Sequence, residues 1–290
     1  MQSANLTVVE EMSPRSGKLD KPMLAMLTDT EFRNLLERLN RPWAGYRKVR
    51  KGVKKRVRRH MQEMGCSTVE QYLAQRTNQP GVKAAQEQCL RITISRFFRD
   101  RHLWQTLRTR CLPGLVEHFT PPIRIWSAGC ANGEEPYSLA MLWDEMRCLP
   151  ALDILATDAG AACLDRARTG AYSRSSLKEV PDEMRERYFE SRKGGRQFLI
   201  RSHRMTPIRW RQHDLLDPLP DGGPFHMILL RNNLLTYYQD PDLQAAFTRV
   251  VATLSPGGWL VTGAHERLPV SPFKLIMDRN CPWVYRLSAD

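Results

Sequence analysis

The chain is predicted to be an α/β protein with a doubly wound, largely parallel sheet, preceded by a small, basic, all-helical unit. Short apolar runs alternate with helical patterns from about residue 120 onward, which is typical of such a sheet. A turn of small residues separates the first of these runs from the helix after it. The N-terminal part instead carries ten basic residues and no acidic residue between Arg41 and His60, within a formal net charge of +13.

The helical unit is predicted to span residues 28–90 and to follow a loose polar tail at residues 1–27. Thr28 and Glu31 form a capping-box pattern, and apolar residues recur behind them at helical spacing. Within the basic block one apolar residue recurs every four positions, at Val49, Val53, Val57 and Met61. This narrow stripe predicts a helix that packs on one side and is solvated on the other. The cations suit a solvated face, an acidic protein surface or nucleic acid.

The second, α/β domain is predicted to span residues 91–290. Apolar runs at 123–126, 152–156, 225–230 and 259–262 predict strands, and the segment after Asp242 predicts a helix that Pro256, Gly257 and Gly258 terminate. The alternation of strand and helix patterns is interrupted between about 188 and 214. There the runs 197–200 and 208–211 predict short antiparallel strands of an inserted β-subdomain.

The turn at residues 127–138, Ser-Ala-Gly-Cys-Ala-Asn-Gly-Glu-Glu-Pro-Tyr-Ser, lies where doubly wound sheets bind nucleotide-like ligands. Gly129 and Gly133 tolerate positive φ and permit a close approach of ligand to backbone. The spacing differs from that of dinucleotide-binding turns, and Glu134 and Glu135 would repel a pyrophosphate. We therefore expect a ligand without phosphate, or one that carries positive charge.

The second strand ends in Asp158, about thirty residues after the first, where an acid accepts hydrogen bonds from ribose hydroxyls. The alternative is that Asp158 caps the helix after it. A ribose-binding acid next to a turn unsuited to phosphate indicates S-adenosylmethionine, a nucleoside that bears a sulfonium and an amino acid. No metal is expected, because the histidines and cysteines lack ligand spacing.

Several classes of protein are disfavoured by composition. No apolar run approaches the roughly 18 residues of a membrane span, and the N-terminus lacks the layout of a secretory signal. Seven cysteines without a Cys-x-x-Cys pair are typical of a reduced, cytoplasmic protein.

Taken together, these segments resemble the CheR-type chemoreceptor methyltransferases. The matching segments occur in family order at residues 93–100, 127–138, 154–158, 168–172, 225–232, 256–258 and 263–266. The resemblance implies a helical N-terminal domain, a Rossmann-like catalytic domain and an inserted β-subdomain that can contact receptors. It also implies methyl transfer from S-adenosylmethionine to receptor glutamates, through in-line attack by a carboxylate that is already ionised near neutral pH.

The resemblance further implies roles for individual residues. Arg99 and Tyr237 match the arginine and tyrosine beside the acceptor carboxylate. The expected cofactor-binding positions are Thr93, Ser95, Arg99, Gly129, Glu135, Asp158, Asp214, Leu215, Arg231 and Asn232. The segment after Arg231 is one residue longer than in the family, so either Tyr237 or Thr236 takes the place of the tyrosine. The chain also has Gly160 where an acid or Asn is usual, and Gly-Ala-His-Glu at 263–266 for Gly-His-Ser-Glu.

Three hypotheses follow. The first is a receptor glutamate methyltransferase that docks on an acidic, helical receptor domain through the basic helix at 47–61 and the β-subdomain. The second is a nucleic-acid methyltransferase, although base-methylation motifs and interleaved aromatic residues are absent from the sequence. The third is a non-catalytic adaptor, which the displaced tyrosine favours. The sequence leaves the receptor and the oligomeric state open.

Overall fold

The computed structural model describes residues 26–78, 80–147, 149–201, 208–218 and 223–289. Most of the predicted N-terminal tail, residues 1–25, lies outside this set, as does Cys148. At the predicted boundary of the tail, Leu27 is buried in the core of the helical unit, whereas Met26 is exposed.

The described residues before Arg91 form five helices. These are α1 (Asp29–Arg38), α2 (Trp43–Tyr46), α3 (Arg50–Glu63), α4 (Val69–Asn78) and α5 (Pro80–Leu90). The capping box is present, since Thr28 Oγ1 accepts from Glu31 N and the Glu31 carboxylate accepts from Thr28 N. Val53, Val57 and Met61 are buried along α3, which confirms the one-sided stripe.

Only part of the basic block faces solvent. Arg41 and Arg58 are buried, and Arg50 and Lys54 both bind the carboxylate of Asp29 in α1. Arg56 donates to the carbonyls of Cys89 and Arg91 at the end of α5. The exposed cations of α3 and the turn before it are Arg47, Lys48, Lys51, Lys55 and Arg59. Half of the basic block therefore stabilises the helical unit itself.

Three helical segments lead from this unit into the sheet, and further helices alternate with its strands. They are α6 (Arg101–Thr106), a π-helical turn (Leu107–Cys111), α7 (Leu112–His118), α8 (Glu134–Glu145), α9 (Ala161–Thr169), α10 (Asp182–Tyr188), α11 (Leu234–Tyr237) and α12 (Asp242–Ala252). The described strands are β1 (Ile123–Ala128), β2 (Leu152–Asp158), β3 (Ala171–Ser173), β4 (Phe189–Arg192), β5 (Gln197–Ile200), β6 (Ile208–Gln212), β7 (Phe225–Leu230), β8 (Leu254–Thr262), β9 (Leu275–Asp278) and β10 (Cys281–Leu287).

Seven of the described strands form one sheet in the order β6-β2-β1-β7-β8-β10-β9. β1 pairs in parallel with β2 and β7, so that Ile125 is level with Ile154 and Met227. Only β10 runs against its neighbours β8 and β9. This is the predicted Rossmann-like α/β sheet. Because strand order reverses between β1 and β7, a crevice opens at their carboxyl ends.

Apolar layers cover both faces of the sheet. One contains Ile125, Leu139 and Met227, and the other contains Trp126, Ile228 and Phe247. Among the described residues, no helix combines the length and the apolar character needed to cross a membrane.

A second, antiparallel sheet has the described order β3-β5-β4 and follows α9. Gln197–Ile200 is its central strand, as expected. The run 208–211, predicted as another short antiparallel strand of the insertion, instead forms β6, which pairs in parallel with β2 at the edge of the main sheet. That prediction is wrong, because a short apolar run does not reveal which partner it will pair with. A second difference concerns residues 256–258, which lie within β8 beside a register shift rather than in the turn before the strand.

Candidate active site

The turn after β1 folds tightly against the end of β2. Gly129 and Gly133 have φ values of 85° and 91°, and Ala131 lies in the same left-handed region. The amides of Gly129 and Cys130 both donate to the carbonyl of Thr157 at 2.8 Å. α8 starts immediately afterward at Glu134, so the N-terminus of this helix points into the crevice.

Asp158 ties this turn to the segment after β2. Its Oδ2 accepts from Ala131 N at 2.9 Å and its Oδ1 accepts from Gly160 N at 2.8 Å. Burial raises the pKa of the carboxyl, and these two bonds oppose that shift. α9 receives no side-chain cap, with Gly160 at its N-cap position. The alternative reading of Asp158 as the cap of that helix is therefore wrong.

Gly129 is held close to another side chain. A Cβ at this position would lie 1.8 Å from Nδ2 of Asn233. Asn233 donates through that nitrogen to the carbonyl of Ala128, and its Oδ1 accepts from Leu234 N at the start of α11. One side chain thus links the turn after β1 to α11. The sequence did not indicate Asn233, although an Asn directly before a short helix is a common capping pattern.

Glu135 and Arg231 form a buried ion pair across the crevice. Arg231 Nη1 lies 3.0 Å from Glu135 Oε2, and Ser127 Oγ donates to Glu135 Oε1 at 2.7 Å. Burial raises the pKa of Glu135, and the charge of Arg231 opposes this. The second Arg231 nitrogen, Nη2, binds Asp100 at 2.7 Å and the carbonyl of Arg99 at 3.0 Å. The pair thereby connects β7, α8 and the segment that leads into α6.

Glu134 is also buried, but no cation among the described residues is bonded to it. Its Oε1 accepts from Ser176 Oγ at 3.5 Å, while Oε2 has no partner among the described residues. Burial raises the pKa of this carboxyl above its usual value. Two adjacent acids thus differ in environment, because only Glu135 is paired with an arginine.

A cavity of about 540 Å³ lies at the carboxyl ends of the strands, between the sheet and the helical unit. Several of the predicted site residues line it: Thr93, Gly129, Asp158, Asp214, Leu215 and Tyr237. Ser95, Arg99, Glu135, Arg231 and Asn232 lie outside its lining. Glu135 and Arg231 are bound to each other behind it.

The helical unit supplies the opposite wall of the cavity, which the sequence did not indicate. Arg41, Glu87 and Arg91 line it from that side, together with Tyr238 from the end of α11. Arg41 is buried, pairs with Glu87 at 2.7 Å and stacks over the ring of Tyr238. No local pattern in the sequence indicates that this arginine, unlike the exposed cations of the block, lines a cavity.

Tyr237 and Thr236 have different surroundings. Tyr237 lines the cavity, and its hydroxyl has a pKa raised by burial, with the charge of Arg99 acting in the opposite direction. Thr236 Oγ1 donates to Glu266 Oε1 instead. The Arg99 guanidinium has no hydrogen-bond or ion-pair partner among the residues that the structure describes. It is exposed, and its charge acts on both Tyr237 and Glu135.

Glu266 anchors the segment that carries these residues. Its Oε2 accepts from Asn232 N at 2.9 Å and from Gly263 N at 2.7 Å, in addition to the Thr236 bond at Oε1. The sequence had marked Glu266 only as part of a matching segment. Within the described residues, no group of His, Cys, Asp and Glu is arranged to hold a metal ion.

Comparison with protein families and curated proteins identifies relatives over most of the chain. The family model described as "CheR methyltransferase, SAM binding domain" matches residues 93–280. The chain is 37% identical over 177 residues to the chemotaxis protein methyltransferase of Listeria monocytogenes, a match covering 61% of this chain and 66% of that protein. It is 30% identical over 226 residues to chemotaxis protein methyltransferase 1 of Pseudomonas aeruginosa, covering 74% of this chain and 81% of that protein.

A third relative, the probable chemotaxis protein methyltransferase of Rhizobium etli, is 31% identical over 227 residues and is covered to 84% of its length. The chain thus spans just under two thirds of the Listeria relative and over four fifths of the other two. Among solved structures, the N-methyltransferase NodS of Bradyrhizobium japonicum with S-adenosyl-L-homocysteine is 17% identical, with a TM-score of 0.33, over 57% of this chain and 63% of that chain.

Proposed function

The chain belongs to the CheR methyltransferase family, and from this premise we propose that it methylates glutamate side chains of chemoreceptors, using S-adenosylmethionine, to give methyl esters for signal adaptation. The observation that carries the proposal is the exposed guanidinium of Arg99, which has no partner among the described residues and whose charge acts on Tyr237, a residue that lines the cavity. A cation and a hydroxyl next to a nucleoside-sized cavity suit a carboxylate acceptor.

The cavity fits S-adenosylmethionine, a cofactor that supplies an electrophilic methyl group on a sulfonium. Its volume lies in the range of about 300–1,000 Å³ that is typical of small-molecule sites. Carboxylates of Asp158, Asp214 and Asp217 line its sheet side and suit hydroxyl and amino groups, whereas the cations of its lining come from the helical unit and Arg91. We assign Asp158 to the ribose hydroxyls, and Asp214 and Leu215 to the adenine. Glu135, held by Arg231, keeps negative charge behind the turn for the cationic end of the ligand.

The residues on the acceptor side position the glutamate carboxylate and do not need to activate it. A glutamate has a reference pKa of about 4.3, so it arrives ionised and needs no general base. Arg99 holds the acceptor carboxylate, and the hydroxyl of Tyr237 orients it toward the methyl group. The helical unit and α11 exclude water from the reaction.

For docking, we propose the exposed cations of α3 as the surface that meets the acidic receptor helices. Lys48, Lys51, Lys55 and Arg59 follow one another at helical spacing on this face. A cleft of about 440 Å³ lies between the start of α3 and residues 92–94, and it is lined by Lys48, Arg50, Lys51 and Arg56 with no acidic side chain. Thr93 lines both this cleft and the central cavity, so an acceptor held at the cleft would lie next to the site. We expect the protein to act in the cytoplasm.

Incubation with methyl-labelled S-adenosylmethionine and receptor-containing membranes tests the proposal, with RNA and DNA in separate reactions. Base-labile label on receptor protein supports it, because carboxyl methyl esters hydrolyse in base. Label on nucleic acid would support the second hypothesis instead. Cofactor binding without transfer to any acceptor would support an adaptor.

A further inference from the structure

We propose that the helical unit positions Tyr237 through a direct backbone and ring contact, so that Gly45 and Tyr46 act as positioning residues for methyl transfer. The contact joins α2 of the helical unit to α11, the four-residue helix that ends in Tyr237. This inference rests on the proposed function, since it assigns a role in that reaction to residues outside the sheet.

The first element of the contact is the absence of a side chain at Gly45. A Cβ at this position would lie 2.2 Å from the carbonyl oxygen of Thr236 and 3.1 Å from Cδ1 of Tyr237. The nearest atom belongs to backbone, so no change of rotamer could relieve the overlap. Gly45 has ordinary backbone angles, without positive φ, and is required here for space alone.

The second element is the ring of Tyr46. It is buried in the core of the helical unit, and its centroid lies 5.1 Å from that of Tyr237 at an interplanar angle of 60°. Tyr237 packs against the same apolar cluster as Phe32 and Val53. One side of the Tyr237 ring therefore belongs to the core of the helical unit, while the residue also lines the central cavity.

Contacts made by Asn40 and Arg41, which precede α2, hold the rest of this segment. Asn40 and Gln239 exchange hydrogen bonds, with Gln239 Nε2 donating to Asn40 Oδ1 at 2.9 Å. Asn40 Nδ2 also donates to the carbonyl of Asp240 at 3.2 Å. Arg41 lies 3.7 Å from the ring centroid of Tyr238. Several residues of the segment 236–240 thus contact residues of the segment 40–46.

The consequence is mechanical coupling. α11 is a single helical turn, too short to be stable by its own hydrogen bonds, so its position depends on what packs against it. The exposed cations of α3 belong to the same packed unit as α2. A receptor bound at α3 would therefore affect the position of α11, the helix that carries Tyr237. Loosening the contact between α2 and α11 should lower the rate of methyl transfer more than it lowers the affinity for either substrate.

Two matched pairs of variants test this. Tyr46→Leu removes the ring face, and Tyr46→Phe retains it. Gly45→Ala introduces the overlap with Thr236, and Gly81→Ala adds the same methyl group where no atom lies within 4 Å. We expect at least a tenfold fall in kcat for Tyr46→Leu and Gly45→Ala, with KM for the receptor within threefold of wild type. Gly45→Ala should also leave the dissociation constant for S-adenosylhomocysteine within threefold of wild type, because Gly45, unlike Tyr46, is not part of the cavity lining. Tyr46→Phe and Gly81→Ala should stay within twofold in kcat.

Hydrogen–deuterium exchange supplies a readout that needs no activity. In Tyr46→Leu, faster exchange confined to residues 231–240 supports the proposal, and Tyr46→Phe should exchange like wild type. Faster exchange spread evenly over residues 29–90 would overturn it by indicating a merely structural role, as would unchanged kcat and exchange in Tyr46→Leu. If wild type transfers no methyl group to receptors, the proposed function fails, and the exchange experiment still decides whether the helical unit positions α11.

Discussion

Arg231, at the end of β7, binds Glu135, in the first turn of α8, through a 3.0 Å ion pair in which the arginine side chain is only 3% exposed. Both partners come from segments that matched the family separately, more than ninety residues apart in the chain. Their pairing joins the end of β7 to α8, the helix that follows β1, at the point where the strand order reverses. It also leaves Arg231 Nε without a partner among the described residues, so the pair is costly to bury.

Replacing only one partner should therefore be more harmful than replacing both. In Arg231→Met, the Glu135 carboxylate stays buried with Ser127 as its neighbour and without a cation. We expect a loss of about 3–5 kcal/mol in the free energy of unfolding, the usual cost of breaking a buried pair on one side. The double variant Arg231→Met with Glu135→Leu should recover much of this loss in urea unfolding. A double variant less stable than Arg231→Met would contradict the reasoning.

Glu134 should make stability depend on pH. Burial raises its pKa above the ordinary value of 4.5, so between that value and the raised one the folded chain retains a proton that the unfolded chain releases. The folded state then binds more protons, and the free energy of unfolding falls as pH rises through this window.

Glu134→Gln removes this group and should flatten that slope. The free energy of unfolding of the variant should increase relative to that of wild type as pH rises through the window, and this relative increase should be absent below pH 4.5. Urea unfolding between pH 4 and pH 8 measures it, with the exposed Glu183→Gln as the matched control. A constant difference at every pH would show that Glu134 does not titrate in this way.

A substitution at Gly129 tests whether Asn233 or the ligand occupies the space beside the turn after β1. Gly129→Ala would meet Asn233 Nδ2 and would hold a non-glycine residue at a φ of 85°, a conformation that costs about 1–2 kcal/mol. We expect at least a tenfold loss of affinity for S-adenosylhomocysteine by calorimetry. Adding Asn233→Ala should restore part of this affinity. If it restores none, the methyl group is obstructing the ligand itself rather than Asn233.

The main sheet could be predicted because its strands are apolar, short and separated by helices, so that periodicity alone indicates parallel pairing. The position of the turn at 127–138 and of Asp158 beside a cavity could be predicted, because small residues and acids at the carboxyl ends of parallel strands are typical of ligand-binding crevices. By contrast, the partner of Ile208–Gln212 depends on long-range pairing, which the local pattern does not contain.

The sequence likewise does not predict that the helical unit contributes to the cavity. Arg41 and Glu87 are forty-six residues apart and meet only after folding. Arg58 is a second case that the sequence does not reveal. Its position in a run of cations predicts a solvated side chain, whereas the structure buries it. Charge density predicts a surface only when no partner or core lies within reach.

The two candidates for the tyrosine position should respond differently to substitution. Tyr237→Phe removes the hydroxyl near Arg99 and should lower kcat about tenfold, the equivalent of about 1.4 kcal/mol, while affinity for S-adenosylhomocysteine stays unchanged. Thr236→Val removes the bond to Glu266 and should lower the free energy of unfolding by about 1 kcal/mol. Steady-state kinetics and urea unfolding separate these outcomes. A selective loss of kcat in Thr236→Val alone would assign the acceptor role to the threonine.

The exposed cations of α3 should govern receptor affinity without governing the cofactor. Replacing Lys48, Lys51, Lys55 and Arg59 by Ala removes charge from the solvated face, and we expect KM for the receptor to rise at least fivefold at low salt. The effect should shrink as ionic strength increases, because exposed charges are screened. Affinity for S-adenosylhomocysteine should not change.

Lys54→Ala is the informative contrast, since it lies on the same helix but binds Asp29 with a side chain only 13% exposed. It should lower thermal stability and leave KM for the receptor near wild type. Equal increases in KM from Lys54→Ala and from the fourfold variant would mean that the stability of the helical unit, rather than its exposed charge, determines receptor binding.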